Sequence, residues 1–190
     1  VLERGDLRFF WTPSVQPANA REVVLGVQSL FAILSPEHGA HRRLRIGKKR
    51  MPSGPRERFW ARIERVGSLQ RVLGGKLEPE QYVTKTRGER FQPAARPVAA
   101  GVYQFERHRD HVHFRYDVEP FLFEDAPDDL QLPEHGDHLV LWKAPAQARA
   151  VWTPQGEPAT LDGEGTQIVL VGRCRDHTVD ATSDDETALA

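Results

Sequence analysis

The chain has 190 residues, 39% hydrophobic and 28% charged, enough for one domain with a real core and too apolar for wholesale disorder. A lone cysteine, Cys174, excludes an internal disulfide framework and any Cys-rich zinc site. The formal net charge of −1 conceals a segregation of charge. Residues 41–96 carry 16 Lys/Arg against 5 Asp/Glu, whereas residues 117–190 carry 16 acids against 4 bases. Such asymmetry is the compositional sign of a polyanion partner or an acidic tail. It is equally what a domain shows when its acidic half lies against its basic half.

No apolar run of the kind a secretory signal needs opens the chain at Val1–Asp6. The longest uncharged stretch, Val23–Pro36, has 14 residues, too few to cross a bilayer as a helix. The expectation is a cytoplasmic protein with no membrane partner.

Pro and Gly punctuate the chain about every ten residues, the spacing of an all-β meander. A first strand is predicted over Asp6–Trp11, ended by Thr12-Pro13. Val27–Ser35 reads as a buried strand, with a helical turn open to residues 20–30, and Pro36–Gly39 as a turn. Along Arg42–Ile46 the alternation puts Leu44 and Ile46 inward, Arg43 and Arg45 outward. Phe59–Val66 alternates likewise, with Phe59, Ala61 and Ile63 on one face and Trp60, Arg62 and Glu64 on the other. Ser68 is placed to cap a short helix, SLQRVL, that Gly74-Gly75 ends. Strands follow at Glu80–Arg87 and Gly101–His108, with Pro93–Pro97 between them as extended loop, because proline suits neither a helix interior nor a central strand. Later strands are predicted at His138–Lys143, Ala148–Thr153 and Thr166–Arg173. The expected architecture is mainly β, an antiparallel barrel or sandwich with one or two short helices, and α+β is the alternative. One globular domain spans 1–173, and 174–190 reads as an acidic, disordered tail.

Around Arg109-Asp110 the pattern defines a hairpin with a two-residue loop. That register sets His108 opposite His111, Glu106 opposite His113, Phe105 opposite Phe114 and Tyr103 opposite Tyr116. One face is then an aromatic ladder bound for a core or packed interface. The other gathers Glu106, His108, His111 and His113, residue types that ligate a first-row metal, and a metal with an open position would activate water for hydrolysis. Alternating polar residues are also what any solvent-facing hairpin shows.

Other motifs say less. Gly47-Lys48-Lys49-Arg50 lacks the first glycine and the Ser/Thr of a P-loop, though it offers cations on a turn. Thr84–Arg90 combines two hydroxyls and three cations, Lys85, Arg87 and Arg90, around Gly88. No G-x-S-x-G, H-E-x-x-H, C-x-x-C or G-x-G-x-x-G occurs. Enzyme chemistry therefore has no strong carrier, and the reading leans away from catalysis.

Three stretches, GDLRFFWTP near the start, GKKRMP at Gly47–Pro52 and TKTRGER-x-x-P-x-A-R-P at Thr84–Pro97, resemble an uncharacterised prokaryotic protein family of similar length. The resemblance implies no activity, cofactor, partner or site residue.

The function expected from the residues is a binding module for an anionic partner, nucleic acid or a phosphorylated ligand. Its candidate site comprises Arg42, Arg43, Arg45, Lys48, Lys49, Arg62, Lys85, Arg87 and Arg90, with Trp60 available to stack a base. The alternatives are a metal-dependent hydrolase on the histidine face and a protein-interaction or self-assembly subunit. No cofactor is expected, apart from a divalent metal under the hydrolase alternative.

Overall fold

A computed structural model describes residues 1–19, 26–121, 127, 130–145 and 152–172. Its strands are β1 (Glu3–Pro13), β2 (Gln16–Pro17), β3 (Val27–Pro36), β4 (His41–Ile46), β5 (Arg58–Gly67), β6 (Glu80–Thr84), β7 (Gly88–Gln92), β8 (Arg96–His108), β9 (His111–Pro120), β10 (His135–Lys143) and β11 (Gln167–Val171). A five-residue helix α1 (Leu69–Leu73) follows β5, and a 3-10 turn (Pro158–Asp162) precedes β11. Eight strands close an antiparallel barrel in the order β1-β3-β4-β5-β11-β10-β9-β8, and β2-β7-β6 form a separate small sheet. Among the expected architectures, the barrel is the one adopted. No described helix is long and apolar enough to cross a membrane.

Alternation fills the barrel. Inward side chains include Leu7, Phe9 and Trp11 of β1, Leu30 and Leu34 of β3, and Val140 and Trp142 of β10, all essentially without solvent contact. Eight strands leave an interior just wide enough for side chains, so the barrel is packed rather than open. Tyr103, Phe105, Phe114 and Tyr116 lie inside as the hairpin pattern requires, and every expected cross-strand pair of β8 with β9 is present. Arg109, in the loop, has φ +46°.

Outside the barrel, α1 lays Val72 over Phe10, Phe31 and Ile33, giving a second apolar cluster. Ser68 caps it by accepting from the Arg71 amide at 3.2 Å. Glycine is required where strands crowd. A Cβ on Gly101 would stand 2.0 Å from the Asp117 carbonyl oxygen, and one on Gly136 would stand 2.0 Å from the Tyr116 ring that covers it.

Two expectations are corrected. Arg96 and Pro97 belong to β8 rather than to a loop, pairing with Trp11 and Phe10. Pro97 is tolerated because the register shifts there, a bulge where no ladder amide is needed. The strand expected over Glu80–Arg87 stops at Thr84, because residues 85–87 turn into β7, a strand the sequence reading lacked. The Ala148–Thr153 strand falls largely outside the described residues, with Thr153 making a lone bridge to Trp142. Residues 20–25, Cys174 and the expected tail also lie outside them.

Candidate functional site

The predicted cations divide into three sets. Arg42 shares the inward face of Leu44 and Ile46 and is only 2% exposed. Its Nη1 donates to both carboxylate oxygens of Glu3 at 2.7 and 2.9 Å, and its Nε to Asp162 at 2.8 Å. The Tyr103 hydroxyl donates to the same Glu3 at 2.8 Å. Burial works against the Arg42 charge, but Glu3 and Asp162 outweigh it and raise its pKa. Burial is also the main reason the Tyr103 phenol is pushed up. Arg43 does face outward, yet α1 covers it to 4% exposure. Its Nη1 donates to the Val72 carbonyl at 2.9 Å, satisfying the helix C-terminus, and its Nε lies 3.1 Å from Glu64. Desolvation lowers its pKa. Neither residue can meet a ligand, so the expected continuous surface patch loses both.

Arg45, Lys48, Lys49 and Arg62 stay together on the outside. Arg45 stands directly opposite Arg62, and Arg43 opposite Arg65. Like charges facing each other across strands are destabilising unless neutralised. A bulge in β5 turns Glu64 into the middle of this quartet, where it reaches Arg43 and Arg45, the latter at 3.3 Å. Arg62 and Arg65 have no carboxylate within salt-bridge distance among the described residues. Lys76 stands near the same group: desolvation lowers its pKa, Glu64 opposes this, and Arg43 and Arg45 add to the lowering. Beyond Ile46 the chain turns at Gly47, whose amide donates to the Trp60 carbonyl at 2.7 Å. There Arg45, Lys48, Lys49 and Arg50, with Gln28 and Ser29, line a cavity of about 470 Å³.

The register carries the face across two further strands. Arg62 pairs with Gln167 of β11, and Gln167 with Lys143 of β10. One transverse row of outward side chains is therefore Arg45–Arg62–Gln167–Lys143. The neighbouring row runs Trp60–Val169–Leu141. Trp60 is 56% exposed. Its ring meets that of Trp152 edge-on, centroids 5.0 Å apart, and the Lys143 ammonium sits 5.8 Å from the Trp152 centroid. Lys143, Trp152 and Lys76 were not among the predicted site residues. Lys143 comes in by register across a seam between distant parts of the chain, Trp152 by ring contact with Trp60, and Lys76 from the turn that follows α1.

Lys85, Arg87 and Arg90 sit apart, on the β6–β7 hairpin of the small sheet. The Thr84 hydroxyl, expected to help hold an anion, is taken up by the turn: it accepts from the Arg87 amide at 3.1 Å and donates to the Gly88 carbonyl at 3.2 Å.

On the histidine face, the rings of His108, His111 and His113 cluster with centroids 4.8–6.2 Å apart. Carboxylates already engage them, Asp110 against His111 and Asp137 against His113, while Glu106 accepts from Arg115 at 2.6 Å. Asp137 is held below the usual carboxylate range: burial opposes this, but His113 and Arg115 prevail. Among the described residues, no three His, Cys, Asp or Glu side chains are arranged to hold a metal ion.

Comparison of the chain with protein-family models, curated proteins and solved structures finds no match. Function is therefore read from the chemistry of these faces.

Proposed function

We propose that the protein binds an anionic polymer on the outer face of β4 and β5, continued over β11 and β10. The observation that carries this reading is the opposition of exposed Arg45 to exposed Arg62, with Arg65 exposed beside them, where the nearby carboxylate, Glu64, is already shared by Arg43 and Arg45. These three exposed guanidiniums repel one another, and a bound anion relieves that repulsion while releasing its own counterions. Lys48 and Lys49 extend the positive field along the adjoining loop.

Affinity for a model polyanion, heparin, is expected to fall steeply as salt rises. Arg62→Ala should lower the slope of log K against log salt by about one, since each lost phosphate-type contact removes about one released counterion. Arg45→Glu with Arg62→Glu should abolish binding with the fold intact, both side chains being exposed. No binding to heparin at low salt would overturn the reading.

A further inference from the structure

We infer that the partner of this face is a single-stranded nucleic acid, held with its phosphates along one transverse row and a base against Trp60 beside it; this rests on the anion-binding reading above. The two rows differ in chemistry. The first, Arg45–Arg62–Gln167–Lys143, is cationic with one amide and crosses four strands. At the usual strand spacing it spans about 14 Å. The second begins at Trp60 and lies two residues away along each strand, about 7 Å from the first.

Trp60 is more than half exposed directly beside the cationic row, so this face offers a flat aromatic surface as well as charge. The Trp60–Trp152 pair meets edge to face, so the two rings do not cover each other. Lys143 occupies the region over Trp152, and Trp60 keeps the more open surface. A base stacks on such a ring whatever its identity, which makes the contact tolerant of sequence. In a duplex the base faces are already stacked and cannot reach Trp60, so the site selects unpaired strands. Heparin and phosphorylated proteins satisfy the first row but bring nothing to the second.

Three fluorescent probes separate the possibilities: a dT12 oligonucleotide, a DNA duplex of equal length and heparin. They are titrated at one salt concentration against the wild-type chain, Trp60→Ala and Trp60→Phe, with folding checked by circular dichroism. The expected result is that dT12 binds more tightly than duplex and quenches tryptophan emission. Trp60→Ala should weaken dT12 by roughly five- to a hundredfold, Trp60→Phe should restore part of it, and heparin affinity should be the same in all three. If heparin binds but duplex equals dT12, or Trp60→Ala leaves dT12 unchanged, the single-strand inference fails and the anion-binding reading stands. If neither heparin nor dT12 binds, both fail.

Discussion

Arg42 is the most exacting single residue of the barrel. Its guanidinium is enclosed with Glu3, Asp162 and Tyr103, and removing it strands the Glu3 carboxylate in a place with little water. Arg42→Ala is expected to cost about 3–5 kcal/mol in urea unfolding, much of it recovered in the Arg42→Met, Glu3→Gln double variant. Equal losses in the single and double variants would show that the stranded Glu3 charge is not the source of the cost. The alternation that places Leu44 and Ile46 inside places Arg42 there too, yet the sequence reading counted Arg42 among the anion-binding cations. The burial of Arg43 was not legible, since nothing local says that a helix 26 residues later will lie across it. His138 supplies a titration of the opposite kind. Only 3% exposed beside Tyr116, its imidazole is pushed down to about 4 by burial, against the pull of Asp137. Between that value and the ordinary 6.5 the unfolded chain takes up a proton that the folded one refuses, so stability falls as pH drops through this window and no further below it. From pH 7 to pH 5 the wild-type protein should lose about 2 kcal/mol more than His138→Leu. Identical losses would mean that another group governs acid sensitivity.

At the level of elements, local rules were strongest where contacts are local. The β8–β9 hairpin could be read pair by pair, because two alternating runs around a two-residue loop leave a single register that buries all four aromatics. The α1 cap and its glycine stop were legible for the same reason. What escaped was the response of strands to distant partners: the bulge that admits Pro97, and the bulge that moves Glu64 between Arg43 and Arg45. The candidate face shared this limit. Arg45, Arg62 and Trp60 followed from alternation, whereas their union with Lys143 and Trp152 depends on which strand closes the barrel. Close approach of β8 to β9 is testable directly. Gly101→Ala should destabilise by about 1–3 kcal/mol in thermal or urea melts, because the obstacle is the Asp117 backbone oxygen and cannot rotate away. Val102→Ala, next to it but exposed, should change stability by less than about 0.5 kcal/mol.

For the whole molecule, closure decides what the charge segregation means. Among the described residues, the expected cancellation of basic by acidic halves is seen where Asp162 turns in to Arg42 and where Glu164 reaches Arg71 at 2.9 Å. The strand laid beside β5 is β11, Gln167–Val171, which carries no charge at all. Acids of the second half instead serve β9 and β10, where Asp137 holds Arg115 and His113. Among the described residues, no acidic strand therefore lies beside the basic face at the seam. The strand order also divides the barrel into two four-strand meanders, β1-β3-β4-β5 and β8-β9-β10-β11, joined where β1 meets β8 and where β5 meets β11. Residues paired at the second joint, such as Arg62 and Gln167, lie more than a hundred positions apart in the chain. Contacts so remote form late in folding, after the entropy of a long loop has been lost. A strand of nucleic acid lying along Arg45–Arg62–Gln167–Lys143 would cross that joint like a stitch. Its occupancy should then be read in time as well as in affinity: slower unfolding, and slower deuterium uptake at the amides of β5 and β11 than at those of β1 and β8.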